Sequence, residues 1–158
     1  MKTNIITYSS AFCEQSVFAQ QLFDLAERAY QFQAPWTVAQ FLDDLYNPYS
    51  HYLILLDENQ QMVGYLGFQQ LFEELEITNL VVAKTQQKQG LGKRLLSHLE
   101  QTLAPEVEQL LLEVRVSNLQ AQNLYLRREF EIISRRVNYY QHPVEDALIM
   151  LKKVGTVS

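Results

Sequence analysis

A helical pattern separates two strand-like runs in the middle of the chain. Leucine recurs every fourth residue from Leu91 to Leu103, between a run that ends at Ala83 and another that begins near Gln109. A helix of about four turns in this position is what a right-handed crossover between parallel strands requires. The sequence therefore predicts a mixed α/β fold that contains a parallel pair of strands.

Short runs rich in β-branched and aromatic residues predict seven strands. They lie near residues 5–8, 52–57, 62–69, 75–83, 109–116, 131–140 and 147–152. The segments between them predict about four helices. The polar residues 57–61 have the length of a hairpin turn, so the second and third strands are predicted to be antiparallel. Because no linker rich in Pro, Gly or Ser interrupts the pattern, we expect a single domain over residues 1–158.

Charge and cysteine content exclude several classes of function. The chain has 18 acidic and 13 basic residues and a net charge of −5, so we expect no nucleic-acid binding through a basic face. The single cysteine, Cys13, allows no internal disulfide, and the scattered histidines form no metal-ligand pattern. The sequence has no run of about 18 apolar residues and no signal-like start. We therefore expect a cytoplasmic protein that binds neither a metal nor a membrane.

Two glycines mark the most informative segment, where a strand runs through a polar turn into a helix. Gly90 and Gly92 at the helix start expose backbone N–H groups, which can hold a pyrophosphate with help from the helix dipole. Basic residues cluster here in a chain that is acidic overall: Lys88, Lys93 and Arg94. The segment predicts a site for an anion, and the alternative is that the glycines simply open a tight turn before the helix.

Other phosphate-binding motifs do not fit this spacing. A P-loop would need glycine at the position of Gln87 and Ser or Thr at that of Arg94. A dinucleotide-binding fingerprint would need a small residue at the position of Leu95. Both motifs are excluded.

The arrangement of Gln87, Gly90 and Gly92 directly after a strand resembles the acetyl-CoA loop of the GCN5-related N-acetyltransferase (GNAT) superfamily. Later segments are similar, in order and spacing, to the ribosomal-protein-alanine N-acetyltransferase subfamily, the RimI type. They are residues 112–118, 124–125, 136–140 and 145–150. The resemblance implies one N-acetyltransferase domain with a twisted mixed sheet, in which two central parallel strands splay apart around acetyl-CoA.

The resemblance assigns contacts with acetyl-CoA to three parts of the chain. The backbone of one strand would pair with the pantetheine arm, at Leu80, Val81 and Val82. The pyrophosphate would lie on Lys88, Gln89, Gly90, Leu91, Gly92 and Lys93. Asn118 would contact the cofactor near the fourth helix. Since Ser117 and Gln120 have the spacing of a capping box, Asn118 can instead belong to the helix start.

Two side chains are candidates for proton transfer. Glu113 stands in the middle of an apolar strand, where an unpaired carboxylate is costly, so it is either paired with a neighbouring arginine or functional. The resemblance implies that it is the general base that takes a proton from the acceptor amine. Tyr125 lies on the apolar stripe of the fourth helix. It is either a core tyrosine or, as the resemblance implies, the general acid that protonates the departing CoA thiolate.

The pKa of the acceptor amine indicates which class of amine a single carboxylate base can serve. An α-amine with a pKa near ~7.7–8 needs about 1.4 kcal/mol to be neutral at pH 7, whereas a lysine near ~10.4 needs about 4.6 kcal/mol. A single carboxylate base suits the α-amine. The resemblance implies the N-terminal alanine of a small-subunit ribosomal protein, whose basic N-terminal peptide would suit an acidic enzyme. Two alternatives are transfer to a lysine side chain, polyamine or other small amine, and a non-catalytic module that binds acyl-CoA.

The chain departs from the family pattern at the end of the fourth helix. The family usually has glycine before the aromatic residue, which is Phe130 here, and this chain has Glu129. A left-handed backbone would cost a non-glycine residue about 1–2 kcal/mol, so the turn here can differ from that of the family.

Residues 136–140, with Glu145 and Asp146, either line a peptide groove or serve strand packing and hairpin charge.

Overall fold

The computed structural model describes residues 2–29, 36–87, 89–141 and 143–155, and these residues form seven strands and four α-helices. The strands are β1 (Asn4–Thr7), β2 (Ser50–Leu56), β3 (Met62–Leu71), β4 (Glu74–Val82), β5 (Gln109–Arg115), β6 (Glu131–Tyr140) and β7 (Glu145–Lys153). The helices are α1 (Gln15–Ala29), α2 (Val38–Leu45), α3 (Leu91–Gln101) and α4 (Leu119–Arg127), and a 3₁₀ turn at Lys84–Gln86 follows β4. Each predicted strand is present, with its ends within two residues of those predicted.

The strands form one mixed sheet in the order β1-β2-β3-β4-β5-β7-β6. β4 and β5 are parallel, with residues 74–77 in register with residues 109–112, which confirms the crossover predicted through α3. β1 is antiparallel to β2, and β7 is antiparallel to both β5 and β6. Beyond the shared register β4 continues to Val82 and β5 to Arg115. The splaying of these strands around acetyl-CoA stays a prediction.

The residues group into two compact units, of which the first consists of residues 1–68 and 79–102. Apolar residues recur at helical spacing along α1, which gives this helix one buried face. The core joins α1 and α2 to β2 and β3, at Phe18, Leu22, Phe41, Tyr52 and Tyr65. The predicted leucine stripe of α3 is buried at Leu91, Leu95 and Leu99.

Asp44, near the end of α2, is a buried carboxylate of this unit. Its Oδ2 accepts a hydrogen bond from the Tyr52 hydroxyl at 2.6 Å, and its Oδ1 accepts one from the Ser50 hydroxyl at 2.7 Å. These two bonds offset the cost of burying the carboxylate and attach α2 to the start of β2. Burial, followed by the charge and hydrogen bond of Asp44, raises the pKa of Tyr52 above the usual range of a phenol.

The second unit consists of residues 69–78 and 103–158. Alternation along β5 buries Leu110, Leu112 and Val114 and leaves Glu113 on the opposite face, because successive side chains of a strand point to opposite sides. α4 contributes Tyr125 to the buried side. Within the described ranges of both units, no helix has the length and apolar character that crossing a membrane would require.

α4 ends in the left-handed residue that a glycine would usually provide. Glu129 has φ +71°, so this residue adopts a left-handed backbone in spite of its side chain. The Phe130 N–H donates to the Tyr125 carbonyl at 3.0 Å and the Glu129 N–H to the Leu126 carbonyl at 3.1 Å, which together form a Schellman motif. The rings of Tyr125 and Phe130 lie 5.6 Å apart across this motif. These contacts hold the turn against the strain, and the different turn that Glu129 could have caused does not occur.

Candidate functional site

The first turn of α3 presents backbone N–H groups at the surface. Gly90, which precedes the helix, has a left-handed backbone with φ +74°, and a β-carbon built on it would meet no atom of the described chain within 4 Å. The Arg94 N–H donates to the Gly90 carbonyl at 3.0 Å as the helix begins. The N–H groups of Leu91, Gly92 and Lys93 precede this bond, and no side chain among the described residues caps the helix. This arrangement suits an anion.

Two side chains attach the loop before α3, and the first turn of α3 itself, to neighbouring parts of the chain. Gln87 Nε2 donates to the Val82 carbonyl at 3.0 Å, which folds the turn back onto the end of β4. Arg94 Nη2 donates to the Thr3 carbonyl at 2.7 Å, beside the start of β1. Lys88 lies outside the described residues. The other predicted pyrophosphate residues form one continuous segment, in which Gln89, Gly90 and Lys93 are exposed.

The segment predicted to pair with pantetheine is the last part of β4. Val81 is buried in the core of the first unit, while Leu80 and Val82 are half-buried. The Ala83 N–H, just after the strand, donates to the Val63 carbonyl of β3 at 2.8 Å. Asn79 of the same strand is 4% exposed, and neither polar atom of its side chain has a hydrogen-bond partner among the described residues. Pairing of residues 80–82 with pantetheine stays a prediction.

In the second unit, the Glu113 carboxylate on β5 lies close to an arginine and a tyrosine. Its Oε1 is 3.9 Å from Arg136 Nη1, and the two side chains are 23% and 59% exposed. The same carboxylate is the main cause of the raised pKa of Tyr139, so this phenol is its neighbour. The sequence allowed Glu113 to be either functional or paired with an arginine, and the pairing is present. A long and exposed ion pair contributes little to stability, however. The Glu113 carboxylate remains partly exposed to solvent.

Tyr139 has a raised pKa, which keeps its phenol neutral at ordinary pH. Its hydrogen bond to Glu113, followed by burial and by the Glu113 charge, raises the pKa of Tyr139 to about 12. The Arg136 guanidinium lies over the Tyr139 ring, 5.4 Å from its centroid, and opposes this shift. The three side chains thus form one cluster around the Glu113 carboxylate.

Glu76 on β4 is a second carboxylate beside Glu113, and the sequence motifs did not reveal it. In the parallel register Glu76 is opposite Leu111, which shares a face of β5 with Glu113. Partial burial, followed by the negative charges of Glu113 and Glu74, raises the pKa of Glu76, while Arg136 lowers it. Two neighbouring carboxylates concentrate negative charge and attract a cationic group such as an ammonium.

A bulge in the β6–β7 hairpin sets the position of Tyr139. The register of β6 against β7 shifts just before Tyr140, and Asn138 within the bulge has φ +53°. Asp146 accepts hydrogen bonds from the Asn138 N–H at 2.8 Å and from Arg135 Nε at 2.6 Å. These two bonds lower the pKa of Asp146. Of the two roles considered for Asp146, the structure therefore supports the one within the hairpin.

The start of α4 is capped by Asn118 itself. Its Oδ1 accepts a hydrogen bond from the Ala121 N–H at 3.1 Å. The Ser117 hydroxyl and N–H instead donate to Glu145 Oε1, at 2.7 and 3.2 Å. Asn118 thus belongs to the start of α4, which was the alternative to a contact with the cofactor. The cap is formed by the side chain of Asn118 itself and not by a capping box of Ser117. Its contact with a cofactor stays a prediction.

Tyr125 lies in α4, in the same unit as Glu113. It is 6% exposed and packs against Phe130. Burial fits a core tyrosine, and it also fits an acid that is kept away from bulk water. The role of Tyr125 in protonating a thiolate stays a prediction.

Glu76 and Tyr139 were missed for different reasons. Glu76 interrupts an apolar strand much as Glu113 does, so the same alternation signal was available in the sequence. Tyr139 lies within a segment that the sequence predicts to be part of a groove or a hairpin, and the register of β6 shifts within that segment. Local sequence patterns do not predict that a strand bulges at this point.

Comparisons with known proteins identify the family. The sequence model of the Acetyltransferase (GNAT) family matches residues 19–130. The ribosomal protein bS18-alanine N-acetyltransferase of Escherichia coli K12 is 34% identical over 131 residues, which cover 81% of this chain and 86% of that protein. A Bacillus subtilis protein that carries the same name provisionally is 38% identical over 124 residues, 77% of this chain and 82% of its own length. The crystal structure of the Escherichia coli ribosomal-protein-S18-alanine N-acetyltransferase superposes with a TM-score of 0.84 at 27% identity, covering 99% of this chain and 97% of that one.

The fold and the sequence thus define an acetyltransferase, and the chain belongs to the GNAT family. It is an N-acetyltransferase, and enzymes of this family take the acetyl group from acetyl-CoA.

Proposed function

We propose that this protein transfers the acetyl group of acetyl-CoA to the α-amine of an N-terminal alanine, on the basic N-terminal peptide of a small-subunit ribosomal protein. The observation that carries the proposal is the accessible Glu113 carboxylate with Glu76 beside it, a site suited to an ammonium that must lose a proton. The names of the relatives in Escherichia coli and Bacillus subtilis support the choice of acceptor. In this proposal residues 1–158 act as one domain in the cytoplasm.

The loop before α3 fits the pyrophosphate of acetyl-CoA. Its N–H groups have no side-chain cap among the described residues, Gly90 leaves open space, and the exposed Lys93 adds positive charge. Acetyl-CoA supplies an activated thioester. The residues proposed to hold it are Leu80, Val81 and Val82 for the pantetheine arm, Lys88, Gln89, Gly90, Leu91, Gly92 and Lys93 for the pyrophosphate, and Asn118.

Glu113 acts in this proposal as the general base. The acceptor arrives mostly as an ammonium, and the negative charges of Glu76 and Glu113 attract it. Neutralising an α-ammonium at pH 7 costs only about 1.4 kcal/mol, which a carboxylate base can supply, against about 4.6 kcal/mol for a lysine. The net charge of −5 adds a longer-range attraction for a basic peptide.

Two further groups complete the proposed proton and charge transfers. Tyr125 donates a proton to the CoA thiolate, a transfer from a phenol near pKa ~10 to a thiolate near ~8.5 that costs about 2 kcal/mol. A main-chain N–H of residues 80–82 donates a hydrogen bond to the thioester oxygen as negative charge develops there. Each of these groups acts on the substrate directly, so no acyl-enzyme is needed.

The experiment mixes the purified protein and acetyl-CoA with two basic peptides and reads the products by mass. One peptide has a free N-terminal alanine and no lysine, and the other is blocked at its N-terminus and contains lysine. We expect one acetyl group on the first peptide and none on the second. Acetylation of the blocked peptide alone would identify a lysine acetyltransferase. If neither peptide reacts, acetylation of spermidine would indicate a small-amine enzyme, and its absence a module that only binds acyl-CoA.

The base is tested with Glu113→Gln, which keeps the shape of the side chain but removes its ability to take a proton. We expect kcat to fall by roughly 10²–10⁴, the usual contribution of a general base. Glu131→Gln is the matched control, because Glu131 is an exposed carboxylate at the start of β6 in the same unit. Wild-type kcat in Glu113→Gln would show that another group takes the proton.

A further inference from the structure

We infer that Glu145 is a positioning residue for acetyl-CoA: its carboxylate holds the turn between β5 and α4, and thereby holds Asn118 where it can meet the cofactor. The inference rests on the contact proposed between Asn118 and acetyl-CoA and adds a residue to it. Glu145 touches neither substrate in this account. It acts on the cofactor through the turn alone.

Three hydrogen bonds attach this turn to the start of β7. The Ser117 hydroxyl donates to Glu145 Oε1 at 2.7 Å, and the Ser117 N–H donates to the same oxygen at 3.2 Å. One residue earlier, the Val116 N–H donates to the Asp146 carbonyl at 3.1 Å. A single oxygen of Glu145 therefore fixes both the side chain and the backbone of Ser117.

A second side chain holds the same turn from α4. Gln122 Nε2 donates to the Arg115 carbonyl at 3.0 Å and to the Val116 carbonyl at 2.7 Å. Glu145 accepts from the N–H and O–H donors of the turn, whereas Gln122 donates to its carbonyls. Because Ser117 is exposed, water can replace its bonds at small cost in stability. The main effect of Glu145 is therefore on the shape of the turn.

The cap of α4 determines which atom of Asn118 can meet a ligand. Asn118 Oδ1 faces the helix, where it accepts from the Ala121 N–H at 3.1 Å. The Asn118 N–H donates to the Arg115 carbonyl at 3.0 Å, which closes the turn. Nδ2 is then the atom that can donate to an acceptor oxygen of the cofactor. A hydrogen bond of this kind is directional, so it depends on where the turn is held.

Two substitutions of Glu145 test this role. Glu145→Ala removes the acceptor, whereas Glu145→Gln keeps a side-chain oxygen that can accept the same two bonds from Ser117. In isothermal titration with CoA we expect Glu145→Ala to weaken binding about 3- to 10-fold, as the loss of one hydrogen bond allows, and Glu145→Gln to stay within about twofold of wild type. Glu131→Ala, which removes an exposed carboxylate of β6 in the same unit, is the control and should bind CoA like wild type.

Kinetic constants separate positioning of the cofactor from direct binding of the acceptor. In Glu145→Ala we expect KM for acetyl-CoA to rise, while kcat and KM for the peptide stay close to those of wild type. A raised KM for the peptide with unchanged affinity for CoA would overturn the inference, because Glu145 would then line a peptide groove. An equal loss of CoA affinity in Glu145→Gln would also contradict it, since the negative charge would then matter rather than the bonds to the turn.

Asn118→Ser tests the route, because serine also caps a helix but lacks the Nδ2 donor. We expect this substitution to weaken CoA binding, and Glu145→Ala to weaken it no further in that background. Multiplied losses in the double variant would show that Glu145 does not act through Asn118. Wild-type affinity in Asn118→Ser would refute the proposed contact and with it the inference.

Binding of CoA requires no acceptor, which separates this inference from the proposed acceptor. If the wild type binds CoA but does not acetylate the alanine peptide, the proposed acceptor fails, and the titrations still decide the role of Glu145. Ser117→Ala removes one of the two bonds at an exposed position, with little risk to folding, and should weaken CoA binding by a smaller factor than Glu145→Ala. If the alanine peptide is acetylated and both variants bind CoA like wild type, the inference fails and the proposed acceptor stands.

Discussion

Glu129→Gly should stabilise the protein by relieving backbone strain at the end of α4. Glu129 is exposed and holds φ +71° at the position where helices commonly have glycine. A left-handed backbone costs a residue with a β-carbon about 1–2 kcal/mol. Glycine also loses more backbone freedom on folding than a residue with a β-carbon. This loss destabilises the folded state by roughly 0.5–1 kcal/mol and offsets part of the relieved strain. The net stabilisation is therefore about 0.5–1 kcal/mol.

This free energy converts into a measurable change of melting temperature. At about 2.1 cal/mol/K per residue, unfolding of a chain of 158 residues changes the entropy by roughly 330 cal/mol/K. A stabilisation of about 0.5–1 kcal/mol then raises Tm by about 1.5–3 °C. Thermal unfolding followed by circular dichroism resolves such a shift. The Schellman hydrogen bonds to Tyr125 and Leu126 should persist, because glycine accepts the same backbone conformation.

Glu129→Ala is the matched control for the loss of the side chain. Alanine removes the carboxylate but keeps the β-carbon and hence the strain, so its Tm should stay close to that of the wild type. An equal rise in both variants would refute the reasoning, since the gain would then come from the lost charge. A fall in Tm of Glu129→Gly would also refute it, by showing that residue 129 carries little strain.

Other substitutions test the buried polar groups and the second carboxylate. Tyr52→Phe removes a donor to buried Asp44 and should cost about 1.5–3 kcal/mol in urea unfolding. Because the folded protein raises the pKa of Tyr52, its contribution is complete below about pH 10 and is lost as pH rises further, so the variant should lack this alkaline decline. Glu76→Gln should raise Tm at pH 7 but not at pH 4, because a carboxyl with a raised pKa stabilises the fold only while it is protonated. Asn79→Leu should keep or raise Tm, since it removes a buried amide with no partner among the described residues, and a clear fall would reveal a hidden partner.

Sequence periodicity was sufficient for the secondary structure and for the parallel pair. β-branched and aromatic runs marked the strands, and the leucine stripe of α3 required a crossover between β4 and β5, which the structure contains. Both features depend on neighbours within a few residues along the chain. The leucine pattern predicted the end of this helix wrongly, because α3 ends at Gln101, before Leu103.

The position of the glycine-containing loop before α3 could also be predicted, because its sequence signal is local. Gly90, Gly92 and the polar turn before them are contiguous, and the structure places them at the start of α3 as the sequence indicated. The glycines alone did not distinguish an anion site from a simple turn. The structure adds the left-handed backbone of Gly90 and the open space around it, which glycine content cannot show.

The surroundings of Glu113 could not be predicted, since they are set by register and by a bulge. Glu76 comes near Glu113 only because residues 74–77 pair with residues 109–112. Arg136 reaches Glu113 from a strand that is two places away in the sheet order. Glu129 is a different case. The sequence indicates that a residue other than glycine would be strained at this position. Only the structure shows that Glu129 nevertheless adopts the left-handed backbone and that hydrogen bonds hold the helix end.

The bulge before Tyr140 also bears on how copies of the protein meet. β6 ends the sheet, and exposed apolar side chains such as Ile132, Ile133 and Val137 line it. A long, flat and apolar edge strand invites a second chain to add a strand of its own and begin aggregation. The left-handed Asn138 interrupts that edge, and Asp146 holds the interruption in place. Loss of the Asp146 carboxylate should therefore shorten the time that the concentrated protein stays in solution.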